Sequence, residues 1–203
     1  KADLFAAYHR AVLESGSGAI TARAIVGELG IGKTALVDAF ASELHMARLL
    51  RVECSPVNQE VPLAAIAEFV RTSIGVRGDE PFDTIVDLIS GAGGAPPPAP
   101  EGVHPMVLRL AELAANRPVG AEEEDSTVRK KQILAGLRTL VATLATHQAV
   151  VIVFDGIQWA DRQSQDILSE VLKSRDPIPV FLLLVTRPDQ ETATLLEGIV
   201  RIE

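Results

Sequence analysis

Two seven-residue runs without polar alternation, "AVVIVFD" at 149–155 and "VFLLLVT" at 180–186, limit the fold more than any other feature of the chain. A strand with one wet face alternates apolar and polar side chains, whereas a continuous apolar run is expected where both faces of a sheet are covered. "AITARAIV" at 19–26 and "RLLRVEC" at 48–54 read as further strands. Between the strands the apolar period changes to that of helices. Leu4, Phe5, Tyr8 and Val12 mark a helix over 2–14, and Leu36, Val37, Phe40, Ala41 and Leu44 mark another after residue 33. Further helices are expected over 63–74, opened by Pro62, over 82–90, over about 106–116, and from "AEEEDS" at 121–126 to about residue 146. Strands and helices in alternation, with four or five strands, predict a doubly wound parallel sheet covered by helices on both faces. Ligands of such sheets sit at the carboxyl ends of the strands.

After the first strand comes Gly27-Glu28-Leu29-Gly30-Ile31-Gly32-Lys33-Thr34, which fits G-x-x-x-x-G-K-[ST] without a gap. Chance produces that pattern in about one chain in a hundred of this size, and its place between a strand and an amphipathic helix lowers the figure further. A triphosphate needs many donors converging on its oxygens. Glycines let backbone N–H groups point inward, and the positive end of the following helix, from Lys33 through Ala35, adds to the cradle. Lys33 would reach the β- and γ-phosphates, and the Thr34 hydroxyl would serve Mg²⁺. The run at 149–155 ends on Asp155, where a phosphate-loop nucleotidase keeps its Mg²⁺ carboxylate, although an acid there is also a common helix cap or turn residue. Thr186 and Arg187 close the other apolar run; Arg187 is a candidate sensor of a γ-phosphate, or the partner of a surface acid.

Length and composition bound the rest. The 203 residues suit one domain, taken here as residues 1–203, with 47% hydrophobic and 4% aromatic residues giving an aliphatic core. A formal net charge of −8 argues against direct nucleic-acid binding, which rests on clustered Lys and Arg. A single cysteine, Cys54, cannot form an internal disulfide, and no leader or long apolar run appears, so a reducing cytoplasm and no membrane are expected. Cys54 reads as a small buried group or a reactive thiol, and Trp159 as packing or an adenine contact. The four histidines lack ligand spacing. "GAGGAPPPAPEG" at 91–102 cannot build a core and is expected to be a mobile loop. The chain opens on Lys1 and stops at Glu203 after an apolar "GIVRI", and the expectation is a piece of a longer protein.

Four stretches together, "VGELGIGKTALVDAFASEL", "VECSPVNQEVPLAAIAEFV", "VVIVFDGIQWADRQSQDIL" and "PVFLLLVTRPD", resemble the AAA-like nucleotide-binding domain of bacterial multidomain regulators of the STAND class. Such domains occur beside LuxR-type DNA-binding, nucleotide cyclase or Ser/Thr kinase domains. Trp159-Ala160-Asp161, Cys54 and Pro62-Leu63 narrow the likeness beyond the phosphate loop. The resemblance implies a P-loop NTPase with strand order 5-1-4-3-2, acting as an ATP/ADP-dependent switch with Mg²⁺, coupled to sensor and effector domains of the parent chain and open to nucleotide-dependent self-association. One departure matters: the family usually carries a second acid after the Mg²⁺ carboxylate, and this chain has Gly156. Asp161 is the nearest acid that could substitute, although its family-typical place implies a structural role. Slow or regulated ATP hydrolysis is therefore expected. The alternatives are a small-molecule P-loop kinase, with 91–102 as a lid, and a binding-only nucleotide scaffold.

Overall fold

Every residue of the run at 180–186 is buried, as are Val150 through Phe154 in the other, so neither strand has a wet face. These facts come from a computed structural model that describes residues 2–13, 20–92, 102–119, 125–146, 148–173, 180–189 and 192–202. The elements in chain order are α1 (Ala2–Leu13), β1 (Thr21–Val26), α2 (Lys33–Ala41), β2 (Ala47–Glu53), α3 (Ala64–Ile74), α4 (Phe82–Ala92), α5 (Pro105–Ala114), α6 (Ser126–Leu144), β3 (Ala149–Asp155), α7 (Arg162–Lys173), β4 (Val180–Thr186) and β5 (Val200–Ile202). The fold is α/β, with one five-stranded sheet in the order β2-β3-β4-β1-β5 and every pairing parallel. That is the expected 5-1-4-3-2 order read from the other edge. By their contacts the residues group into two compact units, Lys1–Ala65 with Gln148–Glu203, and Ile66–His147.

The first unit holds the sheet. Leu4 and Ala7 of α1 and Val37 and Phe40 of α2 share a buried cluster with Ile25, Val151, Val153, Phe181, Leu183 and Val185. Phe40 is its hub, with ring centroids 5.0 Å from Phe5, 6.0 Å from Tyr8 and 5.9 Å from Phe181. Burying each such side chain contributes about 1.5–3 kcal/mol. The alternate residues Val150, Ile152, Phe154, Leu182 and Leu184 are buried as well, so the opposite face is also covered. Side chains alternate across a strand, so the register fixes which face each strand end serves. Leu49 packs against the cluster, and Arg51 and Glu53 continue its row; in β3, Asp155 continues the row of Val151 and Val153.

The second unit is helical. α4, α5 and α6 pack on one another, with Ile85, Ile89, Leu110, Ile133 and Leu140 fully buried. Gly136 of α6 is there for space: a Cβ would stand 3.0 Å from the Met106 carbonyl oxygen of α5. Asp125 caps α6 by accepting from the Thr127 N–H at 2.7 Å. The helix therefore starts after the acidic run rather than within it, and residues 120–124 lie outside the described residues. The expected loop at 91–102 begins later than the composition suggested, because Gly91 and Ala92 still belong to α4; residues 93–101 lie outside the described residues. Among the described residues, no helix is long and apolar enough to cross a membrane.

Candidate functional site

The loop between β1 and α2 is tied to the sheet at its start, where the Gly27 N–H donates to the Thr186 carbonyl at 3.2 Å. Gly27 is needed for room, since a Cβ would meet Ile31 Cγ2 at 2.9 Å. Gly30 and Gly32 are needed for conformation, with φ of +81° and +95°, a region L side chains avoid. Gly32 is the N-cap of α2 and no side chain caps that helix. Among the described residues no acceptor takes the N–H groups of Gly30, Gly32, Lys33 or Thr34, and the Thr34 hydroxyl is likewise unpartnered and exposed. A helix N-terminus in that condition favours an anion. Lys33 Nζ donates to the carbonyls of Gly27 at 2.7 Å and Glu28 at 2.8 Å, which holds the ammonium against the loop and leaves its third donor for a phosphate oxygen. Leu29 and Ile31 are exposed at the loop tip.

The loop forms one wall of a cleft of about 550 Å³ whose lining also includes Asp155, Gly156, Thr186 and Arg187. Lys33, Thr34, Asp155 and Arg187, singled out from the sequence at the ends of three strands, therefore line one cleft. Asp155 Oδ2 accepts from Arg51 at 2.6 Å, and the same guanidinium donates to Asp38 of α2 at 2.7 Å. Burial works against the Arg51 charge, but these two carboxylates outweigh it and hold the group above its ordinary value. Asp155 Oδ1 keeps its acceptor capacity. It and the Thr34 hydroxyl both line the cleft and are the hard oxygens that could hold Mg²⁺, an ion that keeps several waters and takes the rest of its ligands from phosphates. Among the described residues no cluster of three or more His, Cys, Asp or Glu could hold a metal ion by itself.

Gly156 follows with φ of +77°, its N–H donating to the Val185 carbonyl at 3.0 Å while the Cys54 N–H donates to the Asp155 carbonyl at 2.9 Å. A Cβ at 156 would stand 3.0 Å from the Cys54 carbonyl oxygen. The backbone thus explains the glycine on two counts, and any acid there would carry αL strain of roughly 1–2 kcal/mol. Gln158 Oε1 accepts from the Thr186 hydroxyl at 3.0 Å and from the Arg187 N–H at 3.4 Å, joining the two strand ends across the cleft floor. The Arg187 guanidinium lies 5.9 Å over the Trp159 ring and has no carboxylate partner among the described residues. The half-buried Cys54 thiol is pushed up to about 12 by burial, then by the charges of Asp161 and Asp155. It is a neutral thiol at pH 8. Alkylation there is expected to run on the order of 10³-fold slower than for a cysteine with pKa about 8.5, rising about tenfold per pH unit towards pH 11; iodoacetamide kinetics measure this, and an ordinary rate would refute it.

Asp161 does not line this cleft. It is buried, and both oxygens are engaged: Oδ1 accepts the N–H of Leu63 at 2.8 Å and of Ser164 at 2.9 Å, and Oδ2 accepts the Ser164 hydroxyl at 2.5 Å. It caps α7 and pins Leu63, which has φ of +61°. Two of the features that narrowed the resemblance, those containing Leu63 and Asp161, are therefore in contact. Burial and these contacts hold the carboxylate away from the cleft that the phosphate loop lines.

Sequence reading missed Arg51, Gln158 and Glu53. The signal for Arg51 and Glu53 was present in "RVE", two charges two residues apart closing a strand and so facing one way. Nothing in the sequence marked Gln158. Compared with known families, the chain matches over residues 2–185 a family model described as AAA ATPase domain. No curated protein matches it.

Proposed function

Since this chain belongs to the AAA ATPase domain family and is a nucleotide-binding ATPase module, we propose that it is the ATP/ADP switch of a larger STAND-class signalling or transcriptional regulator, with slow or regulated hydrolysis. The observation that carries this reading is the convergence in one cleft of an uncapped α2 N-terminus, Lys33, Thr34 and Asp155. Residues 27–35 would hold the phosphates by backbone donors, Thr34 and Asp155 would hold Mg²⁺, and Arg187, without a carboxylate partner among the described residues, would answer to the terminal phosphate. Mg²⁺ supplies charge neutralisation at the phosphate oxygens. Gln158 passes the position of Arg187 and Thr186 to the loop after β3, a route by which the state of the nucleotide reaches the surface. Sensor and effector domains of the parent chain, and a second copy of this domain, are the partners in this reading, with the cytoplasm as its setting.

With no acid at 156 and Asp161 committed elsewhere, single-turnover phosphate release from Mg²⁺-ATP is expected to lack general-base help from either position, help that ordinarily contributes 10²- to 10⁴-fold. A slow release with tight binding is the expected result. Turnover at an ordinary ATPase rate that vanishes in Asp161→Asn would contradict it, and release accelerated only by a small-molecule acceptor would favour the kinase alternative.

A further inference from the structure

The cleft contains one carboxylate that neither the phosphate loop nor the Mg²⁺ position uses. Glu53, the last residue of β2, lines it, is exposed, and has no hydrogen bond or ion pair among the described residues. It stands in direct parallel register with Asp155. Register partners on neighbouring strands lie about 4.8 Å apart and project from the same face. The contact of Arg51, two residues earlier in the same row, with Asp155 and with Asp38 of α2 fixes which face this is. It is the face carrying α2, whose first turn holds Lys33 and Thr34. Arg51 also pairs with Asp155 from one side, so the neighbouring Glu53 is the unpartnered acid of the two among the described residues.

Resting on the nucleotide reading of this cleft, we infer that Glu53 is a catalytic residue of the slow hydrolysis, doing from β2 what a carboxylate at position 156 cannot do. Glu53 accepts a hydrogen bond from the attacking water and takes its proton as the water oxygen bonds to the γ-phosphorus. The bond between that phosphorus and the β–γ bridging oxygen breaks, and its electron pair leaves with ADP. Glu53 then returns the proton to solvent, so ATP and water become ADP, inorganic phosphate and one proton. A carboxylate one strand further from the phosphate loop than Asp155 reaches the water less often than one beside it on β3 would, which agrees with slow turnover.

The test compares wild type with Glu53→Gln by single-turnover phosphate release from Mg²⁺-ATP and by the melting-temperature shift that ATP produces. The expected result is release slowed by about 10²-fold or more with the shift unchanged. Equal release rates would overturn the assignment. So would loss of the shift together with the rate, since Glu53 would then be a binding group, and so would a wild type without measurable turnover. A wild type that shows no shift with ATP or ADP refutes the cleft reading itself, an outcome the thermal arm identifies before any rate is compared.

Discussion

Asp161→Ala is expected to lower the melting temperature by roughly 6–20 °C while leaving the nucleotide cleft competent in the folded fraction. The carboxylate accepts three hydrogen bonds in a buried site, from the N–H groups of Leu63 and Ser164 and from the Ser164 hydroxyl. Each donor left unsatisfied costs about 1–3 kcal/mol, and a lost N-cap is worth about 0.5–2 kcal/mol of the same total. Three donors near the lower end of that range come to about 3–5 kcal/mol, which at about 2–4 °C per kcal/mol for a chain of this size gives roughly 6–20 °C. Leu63 adds to the effect, because its left-handed backbone loses the acceptor that holds its N–H. Asp161→Asn keeps one acceptor oxygen and should fall by much less. Calorimetric melting of both variants decides: an unshifted Asp161→Ala would show that these contacts do not hold the fold together.

Lys33→Ala is expected to abolish a nucleotide-induced stabilisation of roughly 5–10 °C. Ligand present at a hundredfold over its dissociation constant stabilises the native state by about 2.7 kcal/mol, and the same conversion sets the temperature. The substitution removes the one ammonium anchored inside the loop, by the Gly27 and Glu28 carbonyls, while those carbonyls at the rim of the cleft can turn to water instead. The melting temperature without nucleotide should therefore change little. Equal ATP-induced shifts in wild type and Lys33→Ala would remove the phosphate-loop assignment.

What the sequence made legible was whatever depends on local pattern. β3 and β4 fall on the two apolar runs residue for residue, because covered strands need no polar alternation and the boundary is set by the first polar group. The phosphate loop was equally plain, although its glycines serve different ends: Gly27 makes room and Gly32 turns the chain. β5 has only three residues and is defined by its pairing with β1, so no periodicity announced it as a strand. The interactions that set the chemistry were least visible, since they join distant segments. Arg51 and Asp155 are 104 positions apart, and Leu63 and Asp161 are 98 apart. Gly156 illustrates the same limit. From the sequence it was a missing acid; in the fold it is a positive-φ turn against the Cys54 carbonyl, where an acid would be strained. Asp161, the nearest alternative acid in the sequence, is buried in the fold and bonded to Leu63 and Ser164.

Equilibrium dialysis of labelled ATP and ADP with Mg²⁺, against wild type and Lys33→Ala in parallel, tests the central claim most directly. One nucleotide per wild-type chain and almost none on the variant is the result expected of a phosphate-binding cleft at the head of α2. No nucleotide on the wild type, or equal occupancy of the two proteins, would contradict it.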